Sequence, residues 1–236
     1  MNRRLAILST LLRYPDEALR ADLPDVMAAI ASAGFAERDR RALERLARRL
    51  GKGDPLDRQE DFVRLFDRGR ATSLHLFEHV HGDTRNRGPA MVELVAMYDA
   101  NGFAMTGHEL PDYLPLVLEF CAVAPEETAA NLLSQAGPLL QQIHAKLLSR
   151  GLSSARGYAA VLAAALGEAQ LAPTTLPSQA NDQADEDDLA AIDAAYEDQP
   201  VVFGPESDPD QAGARAKVSA MIQRLRSARQ AAAKPH

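Results

Sequence analysis

The chain has 236 residues, 46% of them hydrophobic and 25% charged. That is enough apolar material for one large domain, or a domain plus a tail, to fold around its own core. Lys and Arg number 26 against 33 Asp and Glu, a net charge of −7, which argues against nucleic acid as a partner. The single cysteine, Cys121, excludes an intrachain disulfide and a cysteine zinc cluster, and fits a reducing cytoplasm.

The chain opens MNRRLAILSTLLRYP, two arginines followed by an apolar run. A secretory signal would need small residues after that run, and Arg13, Tyr14 and Pro15 stand there instead. Leu5, Leu8, Leu11 and Leu12 share one helical face, so a first core helix is expected rather than a targeting segment. No apolar stretch reaches the ~18–20 residues that span a bilayer. The longest, Leu114 to Ala124, carries Glu119. Membrane insertion is not expected.

Helical spacing then recurs along the chain. Leu23, Val26, Met27 and Ile30 form one stripe, stopped by Gly34. Leu43, Leu46 and Leu50 form the next, ended by Gly51 and Gly53, and Phe62, Leu65 and Phe66 a third before Gly69. Leu74, Phe77 and Val80 continue the spacing up to Gly82. Val92, Val95 and Met97-Tyr98 follow Pro89, a first-turn proline, and Gly102 closes that helix. Leu114, Val117, Leu118 and Cys121 predict another, with Pro115 in its first turn. Pro125-Glu126-Glu127 suits a helix start and its dipole. Gly137-Pro138 is expected to break or kink that helix. Ser153 is expected to cap a last, Ala-rich helix through Leu166. The fold class is therefore all-α, a single compact bundle of roughly eight to ten helices.

The charge is uneven. Between Arg156 and Arg215 there are twelve acids and no Lys or Arg. Residues Ala172 to Ala184 have linker composition, followed by the acidic run Asp182 to Asp188. Two parts are expected: a helical domain over 1–171, and an acidic linker and mobile tail over 172–236. In the tail Val218, Met221, Ile222 and Leu225 predict a short basic terminal helix.

Most enzyme motifs are absent: there is no G-x-G-x-x-G, P-loop or G-x-S-x-G. One match stands, His75-Leu-Phe-Glu78-His79, the H-x-x-E-H arrangement that can place two histidines on one helix face for zinc. His81 and His108 could add nitrogen ligands, but a zinc site also needs a third ligand and supporting hydrogen bonds. A helical metallohydrolase on His75, Glu78 and His79 is the alternative to a non-enzymatic reading. His144, on an apolar helix, reads as a surface or satisfied core histidine, and Cys121 as a small buried hydrophobe.

The stretch LFDRGRATSLHLFEHVHG, from Leu65 to Gly82, continues into DTRNRGPAMVELVAMYDANG and is followed by HELPDYLPLVLEF from His108 to Phe120. Together with LLRYPDE at Leu11 to Glu17, it resembles the NarJ-type nitrate reductase assembly chaperones, a branch of the redox-enzyme maturation proteins that includes the TorD and DmsD chaperones. His75 departs from the usual aliphatic residue there. The resemblance implies an all-helical cytoplasmic chaperone without catalytic residue, metal or resident cofactor. Its partner would be the apo nitrate reductase catalytic (alpha) subunit, bound through a leader-like N-terminal peptide while molybdenum cofactor is inserted. Molybdenum cofactor biosynthesis proteins are candidate further partners.

The family's two motifs fall on Glu60-x-Phe62-x-x-Leu65-Phe66 and Glu109-Leu110-Pro111-Asp112-Tyr113. A basic amphipathic client helix calls for an apolar groove bordered by acids. The expected client-contacting residues are Phe66 and Leu116 as apolar wall, with Glu78, Asp112, Tyr113 and Glu119 beside them. Each has a plainer role open to it: Phe66 as core, Asp112 as a helix cap, Glu119 as a paired core carboxylate. An adaptor whose acidic tail recruits basic partners is a third reading.

Overall fold

The computed structural model describes residues 1–81, 87–105, 107 and 109–173. Among these residues there are nine α-helices: α1 Arg3–Leu11, α2 Glu17–Ser32, α3 Glu37–Gly51, α4 Pro55–Phe66, α5 Glu78–His81, α6 Arg87–Ala100, α7 Leu114–Val123, α8 Glu126–Ser149 and α9 Ser153–Glu168. A 3-10 turn at Arg70–Thr72 lies between α4 and α5. No strand occurs among the described residues, only one antiparallel bridge between His75 and Tyr113. The expected all-α bundle is what forms. The acidic linker, the mobile tail and the basic terminal helix expected after residue 173 lie outside the described residues, as does His108.

Local chemistry sets the helix starts. The side-chain oxygen of Asn2 accepts the amides of Arg4 and Leu5, Asp16 accepts that of Leu19, and Asp54 ahead of Pro55 accepts that of Leu56. Burial then assembles them. Leu5, Leu8, Leu11 and Leu12 of the first stripe are all at most 2% exposed, and α1 lies along α7. Helix α8 packs on α9, α2 on α3, and α3 on α9. Phe62 and Phe66 meet Tyr158 of α9 edge-on, while Tyr98, Phe103 and Phe120 form a second aromatic cluster. Cys121 is buried as expected, and burial pushes its thiol up to about 12.

Four local expectations are corrected. The spacing of Leu74, Phe77 and Val80 does not make one helix. Leu76 N–H donates to the Asp112 carbonyl (3.0 Å), and Leu114 N–H to the Leu74 carbonyl (2.8 Å), so this backbone is satisfied by residues 112–114 and only α5 is helical. Helix α6 buries Ala90, Leu94 and Tyr98, leaving Val92 69% exposed and Val95 half-buried. Helix α8 continues through Gly137-Pro138, so of the expected break or kink it is the break that does not occur. Its Gly137 is a close approach, because a Cβ there would run into Leu171 Cδ1. Leu152, not Ser153, occupies the cap of α9, and Ser153 Oγ accepts a hydrogen bond from Arg49 instead (2.8 Å).

Candidate functional site

Helix α7 is built to expose one side. Leu114, Val117, Leu118 and Cys121 turn inward, each at most 1% exposed, which leaves half-buried Leu116 and exposed Glu119 one turn apart on the outer side. This side borders an open concavity of about 310 Å³. Its other boundaries are the α1–α2 connector with Arg13, Tyr14 and Asp16, and the α6–α7 connector carrying Phe103, Met105, Glu109 and Tyr113. Ser9 Oγ donates to the Pro115 carbonyl (2.6 Å) and fixes α1 against α7 beneath it. Tyr14 is held edge-on to Phe62, ring centroids 5.5 Å apart. The lining is mixed: Tyr14, Phe103, Met105, Pro115 and Leu116 supply its apolar residues, and Asp16, Glu109, Glu119 and Arg13 help make it at least as polar as apolar. Asp16 is partly committed to capping α2.

Tyr113, Leu116 and Glu119 of the six expected contact residues meet in this concavity. The other three do not line it. Phe66 is 2% exposed, enclosed by Phe62 (4.8 Å) and Tyr158 (4.9 Å), and belongs to the core, because its ring is covered by the α4–α9 packing. Asp112 is fully buried, so its carboxylate is not at a solvent-facing rim. It accepts the Phe77 amide (2.9 Å), stands 3.4 Å from His75 Nδ1, and faces Arg87 at 3.8 Å. It thus caps the approach to α5 rather than its own helix. Glu78 accepts from Ser73 Oγ (2.6 Å) and lies 3.6 Å from Arg87. Three lining residues, Tyr14, Phe103 and Met105, are not singled out by the sequence as client contacts. They sit in connectors between helices, where apolar periodicity carries no signal.

The H-x-x-E-H geometry does not form as a helix face, because His75 precedes α5 and bridges through its backbone to Tyr113. Hydrogen bonding to Asp112 raises the His75 imidazole above its ordinary pKa, against the opposing effect of burial. His79 Nε2 is engaged by the Ser73 carbonyl at 2.8 Å. Among the described residues, no group of three His, Cys, Asp or Glu side chains is disposed to hold a metal.

Residues 32–153 match the family described as nitrate reductase delta subunit. Over 200 residues the chain is 40% identical to the nitrate reductase molybdenum cofactor assembly chaperone NarJ of Escherichia coli (strain K12), covering 84% of each chain. The chain belongs to the nitrate reductase delta subunit family. A second relative in that organism, the probable nitrate reductase molybdenum cofactor assembly chaperone NarW, is 36% identical over 199 residues, 84% of this chain and 83% of its own. The probable chaperone NarJ of Bacillus subtilis (strain 168) is 39% identical over 125 residues, 53% of this chain and 67% of its own. The delta subunit match encloses Tyr113, Leu116 and Glu119 and leaves Arg13 and Tyr14 outside it. No helix among the described residues is long and apolar enough to cross a membrane.

Proposed function

We propose that this member of the delta subunit family is a non-enzymatic, client-specific assembly chaperone acting in the cytoplasm. It binds the N-terminal segment of the apo nitrate reductase catalytic subunit and holds that subunit while molybdenum cofactor is inserted, with cofactor biosynthesis proteins as further partners. The relatives' names as molybdenum cofactor assembly chaperones support the role. The observation that carries the binding site is the concavity itself, with apolar Tyr14, Phe103, Met105 and Leu116 beside the carboxylates of Glu109 and Glu119. An amphipathic client helix would set its apolar side chains into this lining and its cations toward those acids.

The division of labour follows from magnitudes. Apolar burial stabilises by roughly 25 cal/mol per Å² before ordering costs are subtracted. Exposed carboxylates are screened beyond a Debye length of ~8–10 Å, so they set orientation and association rate more than affinity. A synthetic peptide from the N-terminus of the catalytic subunit is therefore expected to bind in calorimetry and to gain helicity by circular dichroism. Added salt should weaken binding modestly. Glu119→Gln should cost less than about 1 kcal/mol, and Leu116→Asp considerably more, because it places a charge against apolar lining. A folded Leu116→Asp protein that binds as tightly as the parent would move the site elsewhere.

A further inference from the structure

Behind the concavity, residues 109–114 are held against residues 74–77 by an unusual concentration of bonds. Two are the backbone pairs Leu76 to Asp112 and Leu114 to Leu74. From α6, Tyr98 Oη donates to the Pro111 carbonyl at 2.7 Å, which ties the same connector to a second element. The Asp112 carboxylate, fully buried, adds the Phe77 amide on one oxygen and His75 Nδ1 on the other, with Arg87 at 3.8 Å. The next residue is Tyr113, whose ring lies 5.3 Å from that of His75 on one side and whose side chain lines the concavity.

We propose that Asp112 is a positioning residue for client binding: from behind the wall, its carboxylate locks residues 109–113 to the start of α5 and so fixes Tyr113 and Glu109 for the peptide. This rests on the concavity being the peptide site. A surface carboxylate serving as a peptide contact would need solvent access, which Asp112 lacks. Without its carboxylate, the buried Phe77 amide loses its acceptor and the connector loses its charged tie to His75 and Arg87. Asparagine can replace most of this, because its amide oxygen accepts from Phe77 and its NH2 can donate to a neutral His75 imidazole.

The test uses the full chain, calorimetry with the catalytic-subunit peptide, and hydrogen exchange. Asp112→Ala is expected to weaken the peptide about tenfold, the scale set by an unpaired buried amide. Asp112→Asn should recover most of that loss. Exchange protection of the Leu76, Phe77 and Leu114 amides should fall in the alanine variant, while that of α8 and α9 is unchanged. Parental affinity in Asp112→Ala would overturn the proposal, as would equal losses in alanine and asparagine variants or a parallel loss of protection in α8 and α9. If Asp112→Ala does not fold, Asp112→Glu displaces the carboxylate by one methylene: weaker binding at an unchanged melting temperature supports the proposal, and parental affinity overturns it. The Leu116→Asp variant separates the two claims. If it binds normally while Asp112→Ala does not, the peptide site has been misplaced and the positioning of Tyr113 toward it falls as well.

Discussion

Two histidines in this chain respond to pH in opposite directions. Hydrogen bonding to Asp112 raises His75 above 6.5, with Glu78 adding to the effect and burial and Arg87 opposing it. Its contribution to stability is fully present below about pH 6.5 and is lost as pH rises through its folded value. His144 lies on α8 at 6% exposure, and its Nδ1 has no hydrogen-bond partner among the described residues, so there it is buried without the full satisfaction expected of a core histidine. Burial lowers its pKa, with Arg38 adding to the effect. Protonation therefore favours the unfolded chain, and stability falls as pH drops below about 6.5. Melting temperatures between pH 5 and 8.5 check both signs. His144→Leu should flatten the acidic side of the profile, and His75→Gln the alkaline side. A His144→Leu protein with the parent's full acid sensitivity would show that other groups cause it.

At the scale of the elements, the regular helices were legible because each buries a stripe that recurs every three or four residues. Leu5, Leu8, Leu11 and Leu12 are the clearest case. The segment from Leu74 to Val80 has the same spacing, yet its backbone partners lie near residue 112, a pairing that no local pattern announces. The site divides in the same way. Leu116 and Glu119 could be placed on one outer face of α7 from spacing alone, whereas Tyr14, Phe103 and Met105 reach the concavity from connectors. Asp112 was readable as a cap, but its acceptor role is toward Phe77, 35 residues away. Close packing also escapes sequence patterns. A Cβ at Gly157 of α9 would stand 2.9 Å from Leu46 Cδ1 and 3.4 Å from Leu46 Cβ, so α3 and α9 approach each other there. Gly157→Leu should destabilise by about 1–3 kcal/mol through overpacking, measured by urea denaturation. Gly157→Ala should be close to neutral, since a helix-propensity gain of about 1 kcal/mol offsets the tighter contact.

For the whole molecule, the question is how much of the chain the helical core requires. The aromatic clusters and the α1–α7, α3–α9 and α8–α9 packings all lie within residues 3–168. Leu171 adds a close contact of its own, its side chain seated over Gly137 of α8, and its amide donates to the Leu166 carbonyl at 2.9 Å. The carbonyl of the next residue accepts from the half-buried Gln141 side chain (2.7 Å), a bond worth about 1 kcal/mol. We therefore propose that 1–171 is the folding unit, as the linker composition beginning at Ala172 suggests. A chain ending at Leu171 should unfold in urea as one cooperative transition, with stability within about 1 kcal/mol of the full chain. Ending it at Glu168 instead should cost more, because the loss of Leu171 would leave Gly137 uncovered. In that shorter chain Gly137→Ala should become stabilising, since the added methyl would no longer meet Leu171 and alanine favours a helix interior by up to about 1 kcal/mol. A broad, low-slope transition for the chain ending at Leu171 would mean that residues beyond it belong to the core, and the boundary would have to move toward the C-terminus.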